Sequence, residues 1–166
     1  MSLSHFDEKS GVVSFKTSWG TWWQTVDEVY ISVDLPSNTK AKNVKVTIKT
    51  NNVECIVYDK VLFKGHLYKP IHPDDSVWTI EDGCTLNIVL SKAEYDQKDT
   101  LWESILKDGS YQPDPLTLHE MRKKLDLEKF QIENPGMDFS RAKLSKSYDQ
   151  MPGMSVQKNE DTTTKN

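Results

Sequence analysis

The chain has 166 residues, 36% of them hydrophobic and 28% charged, and a net charge of −4. That length suits one domain and leaves little room for two, and the acidic balance argues against a nucleic-acid partner, which would need clustered Lys and Arg. No apolar run reaches the roughly 18 residues of a membrane-spanning helix, and Met1 to Lys9 lack the apolar core of a secretory signal.

Residues 1–18 read as a flexible N-terminal segment, with Gly11 and scattered Ser, Thr and Lys breaking any periodicity. From 19 to 92 the signal is alternation. Val29, Ile31, Val33 and Leu35 share one parity, as do Val44, Val46 and Ile48, then Val53, Cys55 and Val57, then Leu86, Ile88 and Leu90. Period two with polar residues between means strands that bury one face. Turn residues separate the runs: Pro36-Ser37-Asn38, Asn51-Asn52, Pro70 to Asp75, and Asp82-Gly83. Asn51-Asn52 reads as a tight hairpin, because Asn tolerates positive φ. Six or seven such strands predict an all-β core, an antiparallel β-sandwich. Alternation also places Trp22 in the core and Trp23 partly at the surface, since neighbours in a strand point to opposite faces. By the same parity, Val46 and Trp78 are expected to be buried.

After Lys92 the period changes, and residues 93–146 read as C-terminal helices. Thr100-Leu101-Trp102-Glu103 has the form of a capping box ahead of Leu101, Trp102, Ile105 and Leu106, with a stop at Asp108-Gly109. Trp102, Ile105 and Leu106 are expected to pack on the sandwich edge. A second helix begins at Asp114-Pro115, carries Leu118, Met121 and Leu125 on one face, breaks or kinks near Asp126, and ends at Asn134-Pro135-Gly136. Residues 147–166 are polar and read as a disordered tail.

Catalytic chemistry is hard to find. Of His5, His66, His72 and His119, no two have the spacing of a helical metal pair, and His66 and His72 with Asp74 and Asp75 read as a solvated turn. Cys55 and Cys84 lie in strand-like sequence as small apolar residues in a reduced, cytoplasmic compartment, and one pair makes no disulfide framework. No Gly-rich phosphate loop follows a strand. The sequence therefore predicts no enzyme, no metal and no cofactor. Five tryptophans admit a carbohydrate-binding sandwich, but such sandwiches are mostly secreted and Met1 to Lys9 do not read as a signal peptide.

Several ordered strings are more specific. Trp22 to Thr25 followed by Glu28 to Val33, then Gly65 to Tyr68, Trp78 to Gly83 and Leu86 to Lys92, resemble successive strands of a CS domain. Trp102 to Leu106 is similar to the aromatic helix that follows the domain in NudC (nuclear movement) proteins, and Phe130 to Ser140 resembles their C-terminal signature. The resemblance spans about residues 10–145 and fits the short members, which lack the dimerising coiled coil of the long ones. It implies the CS/small-crystallin sandwich and a co-chaperone or adaptor. Such proteins cooperate with heat-shock protein 90 on WD-repeat propeller clients, including the dynein-regulating lissencephaly protein, in the cytoplasm and at the centrosome or spindle. A self-sufficient holdase is the alternative, although the Ile-x-Ile/Val assembly motif of crystallins is missing after Lys92.

The expected partner-binding residues are Trp23, Phe63, Lys64, Tyr68, Lys92 and Trp102. Phe63 and Tyr68, flanked by Lys60, Lys64 and Lys69, would form an aromatic and basic strip on strand 60–69, with a bend at Gly65 bringing both Leu62 and Leu67 to the core. Such a strip suits an acidic partner.

Overall fold

The computed structural model describes residues 6–7, 12–94 and 99–134. The chain divides into two compact units, Met1–Leu125 and Asp126–Asn166. The first holds every strand among the described residues: β1 (Phe6–Asp7), β2 (Val12–Val13), β3 (Phe15–Lys16), β4 (Gly20–Gln24), β5 (Glu28–Asp34), β6 (Val44–Lys49), β7 (Asn52–Val57), β8 (Lys60–His66), β9 (Ile71–Glu81) and β10 (Thr85–Lys92). β2 and β3 thus precede Trp19, and Val13 is buried. The expected sandwich is present, as a five-stranded antiparallel sheet in the order β3-β4-β5-β10-β9 and a three-stranded sheet in the order β6-β7-β8. β1 and β2 form a separate short ladder.

The alternating residues meet between the sheets. Trp22, Val29, Ile31, Val33, Leu86, Ile88 and Leu90 come from the larger sheet, and Val44, Val53, Cys55 and Val57 from the smaller. Burial on this scale is the main stabilising term of such a domain. Trp22 is fully buried and its Nε1 donates to the Tyr111 carbonyl at 2.9 Å, while Trp23 is half-buried, as alternation predicts. Trp78 and Val46 are only half-buried, contrary to expectation. Their parity is right, since Trp78 sits opposite Ile88 and Val46 opposite Cys55. Both lie on strands at the rim of their sheets, where one side of the side chain meets water.

Two turn assignments change. The β6–β7 loop is Thr50-Asn51, because Lys49 pairs with Asn52, and neither loop residue has positive φ. The primed-type hairpin lies instead at Tyr58 (φ 49°) and Asp59 (φ 64°), between the paired Val57 and Lys60. Pro70 to Asp75 is not wholly a turn: β9 starts at Ile71, and Pro73 is tolerated because β9 is an edge strand.

The expected helix at 100–106 does not form. Residues 99–113 run as an irregular strap, and Leu106 bridges Leu67 in antiparallel fashion. The Tyr68 N–H donates to the Ile105 carbonyl at 3.0 Å, and the Lys107 N–H to the His66 carbonyl at 2.8 Å. Leu101, Trp102, Ile105 and Leu106 are nevertheless buried, so the expected packing on the sandwich holds without the helix. Gly65 makes room for the strap: a Cβ there would lie 3.2 Å from Leu106 Cδ1.

The helix that does form, α1 (Pro115–Glu133), starts as expected. Asp114 caps it, accepting from the Thr117 N–H at 3.1 Å and the Thr117 hydroxyl at 2.6 Å, and Pro115 occupies the first turn, where its missing N–H is not needed. Thr117, Met121 and Leu125 are buried and Leu118 packs against the core. Helical structure continues without interruption through Asp126 to Glu133, in place of the expected break. The C-terminal signature from Pro135 to Ser140 and the tail at 147–166 lie outside the described residues.

Candidate functional site

Among the described residues, no three His, Cys, Asp or Glu side chains are grouped closely enough to hold a metal ion, and no helix is long and apolar enough to cross a membrane. The surface chemistry concentrates on the outer faces of the two sheets.

On the five-stranded sheet, Trp23 sits opposite Tyr30, Tyr30 opposite Val89, and Val89 opposite Val77. Four strands therefore place these outward side chains in one row across the face. The Trp23 and Tyr30 rings stack with centroids 5.4 Å apart and planes 5° from parallel. Tyr30 is oriented further by donating its hydroxyl proton to Glu28. Val77 is 55% exposed, and the other three are half-buried. The neighbouring row, Thr21, Ser32, Asn87 and Thr79, is polar throughout. An apolar stripe bordered by polar groups, neutral on one side and including Glu28 on the other, is the composition of a protein contact surface.

The three-stranded sheet presents a different face. Its outward rows are Lys45, Ile56 and Val61, then Thr47, Glu54 and Lys64, then Lys49, Asn52 and His66. Three lysines face one glutamate there. Lys64 Nζ lies 3.7 Å from Glu54 Oε2, with the lysine side chain 68% exposed. A shallow groove of about 390 Å³ runs between the last two rows.

The six residues expected from sequence separate into surface and interior. Trp23 and Lys64 belong to the two faces just described. Tyr68 is half-buried against the Trp102 ring, centroids 6.1 Å apart. Partial burial, then the negative charges of Glu103 and Asp99, raise its hydroxyl pKa, and Arg122 acts against them.

The other three are interior. Phe63, 3% exposed, packs on Trp19 at a centroid distance of 4.8 Å. The register between β7 and β8 shifts after the Cys55–Phe63 pair, so Ile56 meets Val61 and the irregularity falls at Leu62, ahead of Gly65. Phe63 thereby turns inward together with Leu67, and Leu62 is left half-buried. The aromatic and basic strip expected on strand 60–69 is therefore not formed. Trp102 is 1% exposed beneath the strap.

Lys92 is 2% exposed. Its Nζ donates to Gln24 Oε1 at 2.9 Å, the Thr25 carbonyl at 2.7 Å and the Thr100 carbonyl at 2.8 Å. A buried ammonium is tolerated because these oxygens replace its water.

Sequence reasoning missed Tyr30, Val77 and Val89. Tyr30 and Val89 stood on the outward parity of their strands, but the register that aligns all four is set by pairing between distant segments.

A CS-domain family profile matches residues 18–92. Human NudC domain-containing protein 2 is 40% identical over 143 residues, covering 86% of this chain and 90% of that protein. The chain belongs to the NudC family. A more distant relative, Protein BOBBER 1 of Arabidopsis thaliana, is 26% identical over 157 residues, covering 75% of this chain and 52% of that protein. Among solved structures, the crystal structure of mouse NudC domain-containing protein 2 is matched at a TM-score of 0.44 with 38% identity, over 80% of this chain and all of that one. Membership of the NudC family, with its CS domain, supports a chaperone or co-chaperone role.

Proposed function

We propose that this NudC-family protein is a non-enzymatic co-chaperone that docks protein partners on the outer face of its five-stranded sheet. The observation that carries the reading is the in-register row Trp23–Tyr30–Val89–Val77, an aromatic and aliphatic stripe on a rigid sheet. Aromatic side chains held in one rotamer by stacking lose little entropy on binding, which is why they dominate interface energetics. The partners proposed are heat-shock protein 90 and WD-repeat propeller clients, the dynein-regulating lissencephaly protein among them. The site of action would be the cytoplasm, including the centrosome or spindle. Tyr68, half-exposed beside the strap, is proposed as a peripheral contact.

The test is capture of purified heat-shock protein 90 and a WD-repeat client by the wild-type chain and by the double variant Trp23→Ala, Val77→Ser. Partner affinity should fall by at least about tenfold, equivalent to ~1.4 kcal/mol, with the fold retained. Unchanged capture by a folded variant would move the site off this face. Suppression of client aggregation by the purified chain alone at substoichiometric ratio would replace the adaptor with a self-sufficient holdase.

A further inference from the structure

Charge is distributed very unevenly along this chain. Residues 40–69 hold seven lysines and two acids, whereas the rest holds fourteen basic residues against twenty-three acids. Folding gathers part of that excess onto one surface, since Lys45, Lys49 and Lys64 all point outward from the three-stranded sheet. Lys45 and Lys49 have no ion-pair partner among the described residues. Lys64 has, among the described residues, only the 3.7 Å contact with Glu54, in which the lysine is largely exposed, a kind of pair that contributes little. Like charges are kept on one face although a mixed arrangement would repel less.

We infer that the outer face of β6, β7 and β8 is a second docking surface, which takes an extended acidic peptide segment of a protein partner. It is independent of the aromatic stripe on the opposite sheet. Three features define the peptide. The groove of about 390 Å³, lined by Thr47, Lys49, Glu54, Lys64 and His66, is open and shallow, suiting an extended chain. Its basic rows adjoin the row of Ile56 and Val61, and Val61 is 51% exposed, an apolar foothold at one end. On β6 and β7 successive rows lie two residues apart, about 6.6–6.8 Å, which is also the repeat of same-side side chains in an extended peptide, while on β8 the irregularity at Leu62 sets Val61 and Lys64 three residues apart. A segment with an apolar residue followed by an acid would meet Val61 and then Lys64 along β8, and a further acid would lie in the groove that Lys49 lines from β6, two strands across. Nucleic acid fits less well: the outward rows carry no Phe, Tyr or Trp ring for a base to stack on, only the His66 imidazole, and the face supplies few phosphate contacts.

The test uses the full chain and a fluorescent synthetic peptide in which leucine, glutamate and glutamate alternate with serines. Anisotropy should show saturable binding that weakens as salt is raised. The double variant Lys49→Glu, Lys64→Glu should bind at least about tenfold more weakly, while Lys16→Glu, half that charge change placed on the other sheet, should bind like wild type. A peptide of the same composition with its glutamates adjacent should also bind more weakly. Wild-type affinity in the folded double variant would overturn the proposal, as would the absence of saturable binding at low salt. Displacement of the peptide by a single-stranded oligonucleotide at lower concentration than by unlabelled peptide would overturn it too, in favour of nucleic acid.

Discussion

Gln24 pairs its side-chain amide with both backbone groups of Trp102. Its Nε2 donates to the Trp102 carbonyl at 2.8 Å, and its Oε1 accepts from the Trp102 N–H at 2.9 Å. One side chain thus does for the strap what a neighbouring strand would otherwise do, and Oε1 also accepts from buried Lys92. With Trp102 held by Gln24 and the Thr100 carbonyl held by Lys92, these backbone groups are not free to form a helical turn. Tertiary partners outcompete the capping-box signature at Thr100 to Glu103.

Gln24→Ala would leave the Trp102 backbone groups and the Lys92 ammonium short of partners in a buried site. A loss of about 2–4 kcal/mol in chemical denaturation is expected, since each unsatisfied buried group costs roughly 1–3 kcal/mol. A loss below about 0.5 kcal/mol would mean that water replaces Gln24 at no cost and the pairing is incidental.

The tryptophans should differ in their cost of removal. Trp102→Ala empties an interior site and should cost about 3–5 kcal/mol. Trp78→Ala, on the rim strand β9, should cost clearly less, because its ring is only partly buried in the folded chain. The order of the two thermal midpoints checks this, and a larger drop for Trp78→Ala would contradict the burial described.

A chain ended after Lys98 loses the strap and α1 and uncovers Trp22, whose indole N–H needs the Tyr111 carbonyl, together with the polar end of Lys92. Such a chain should unfold at lower denaturant and with a smaller dependence on denaturant than the full chain, as less surface is buried. Equal midpoints and slopes would make residues 99–125 a mere appendage.

Cys55 is fully buried, which pushes its thiol up to about 12 from an ordinary 9.0, while Cys84 lies exposed in the β9–β10 turn. One thiol should react with a thiol reagent in the native protein and both after denaturation. The pH effect follows from proton uptake. Between pH 9 and 12 the folded state keeps a proton on Cys55 that the unfolded state has lost, so stability falls across that window. Cys55→Ala should flatten the fall, and an unchanged slope would assign it to other groups.

Parity along each strand was legible in the sequence, because alternation of apolar and polar residues is a local property that requires only one sheet face to be dry. It was enough to give the sandwich, the inward Trp22 and the outward Trp23, and the residues around Asp114 and Pro115 were enough to start the helix. Depth was not legible: Trp78 and Val46 have the correct parity, but their burial depends on which strands end up at the rims. Nor was the register that aligns Trp23, Tyr30, Val89 and Val77, or the bulge that turns Phe63 inward. The strap at 99–113 is the clearest case. Its local sequence favours a helix, and the groups that forbid one, on Gln24 and Lys92, lie 78 and 8 residues away from the backbone they hold. Such contacts form only once the chain has closed on itself, so the tertiary structure alone decided them.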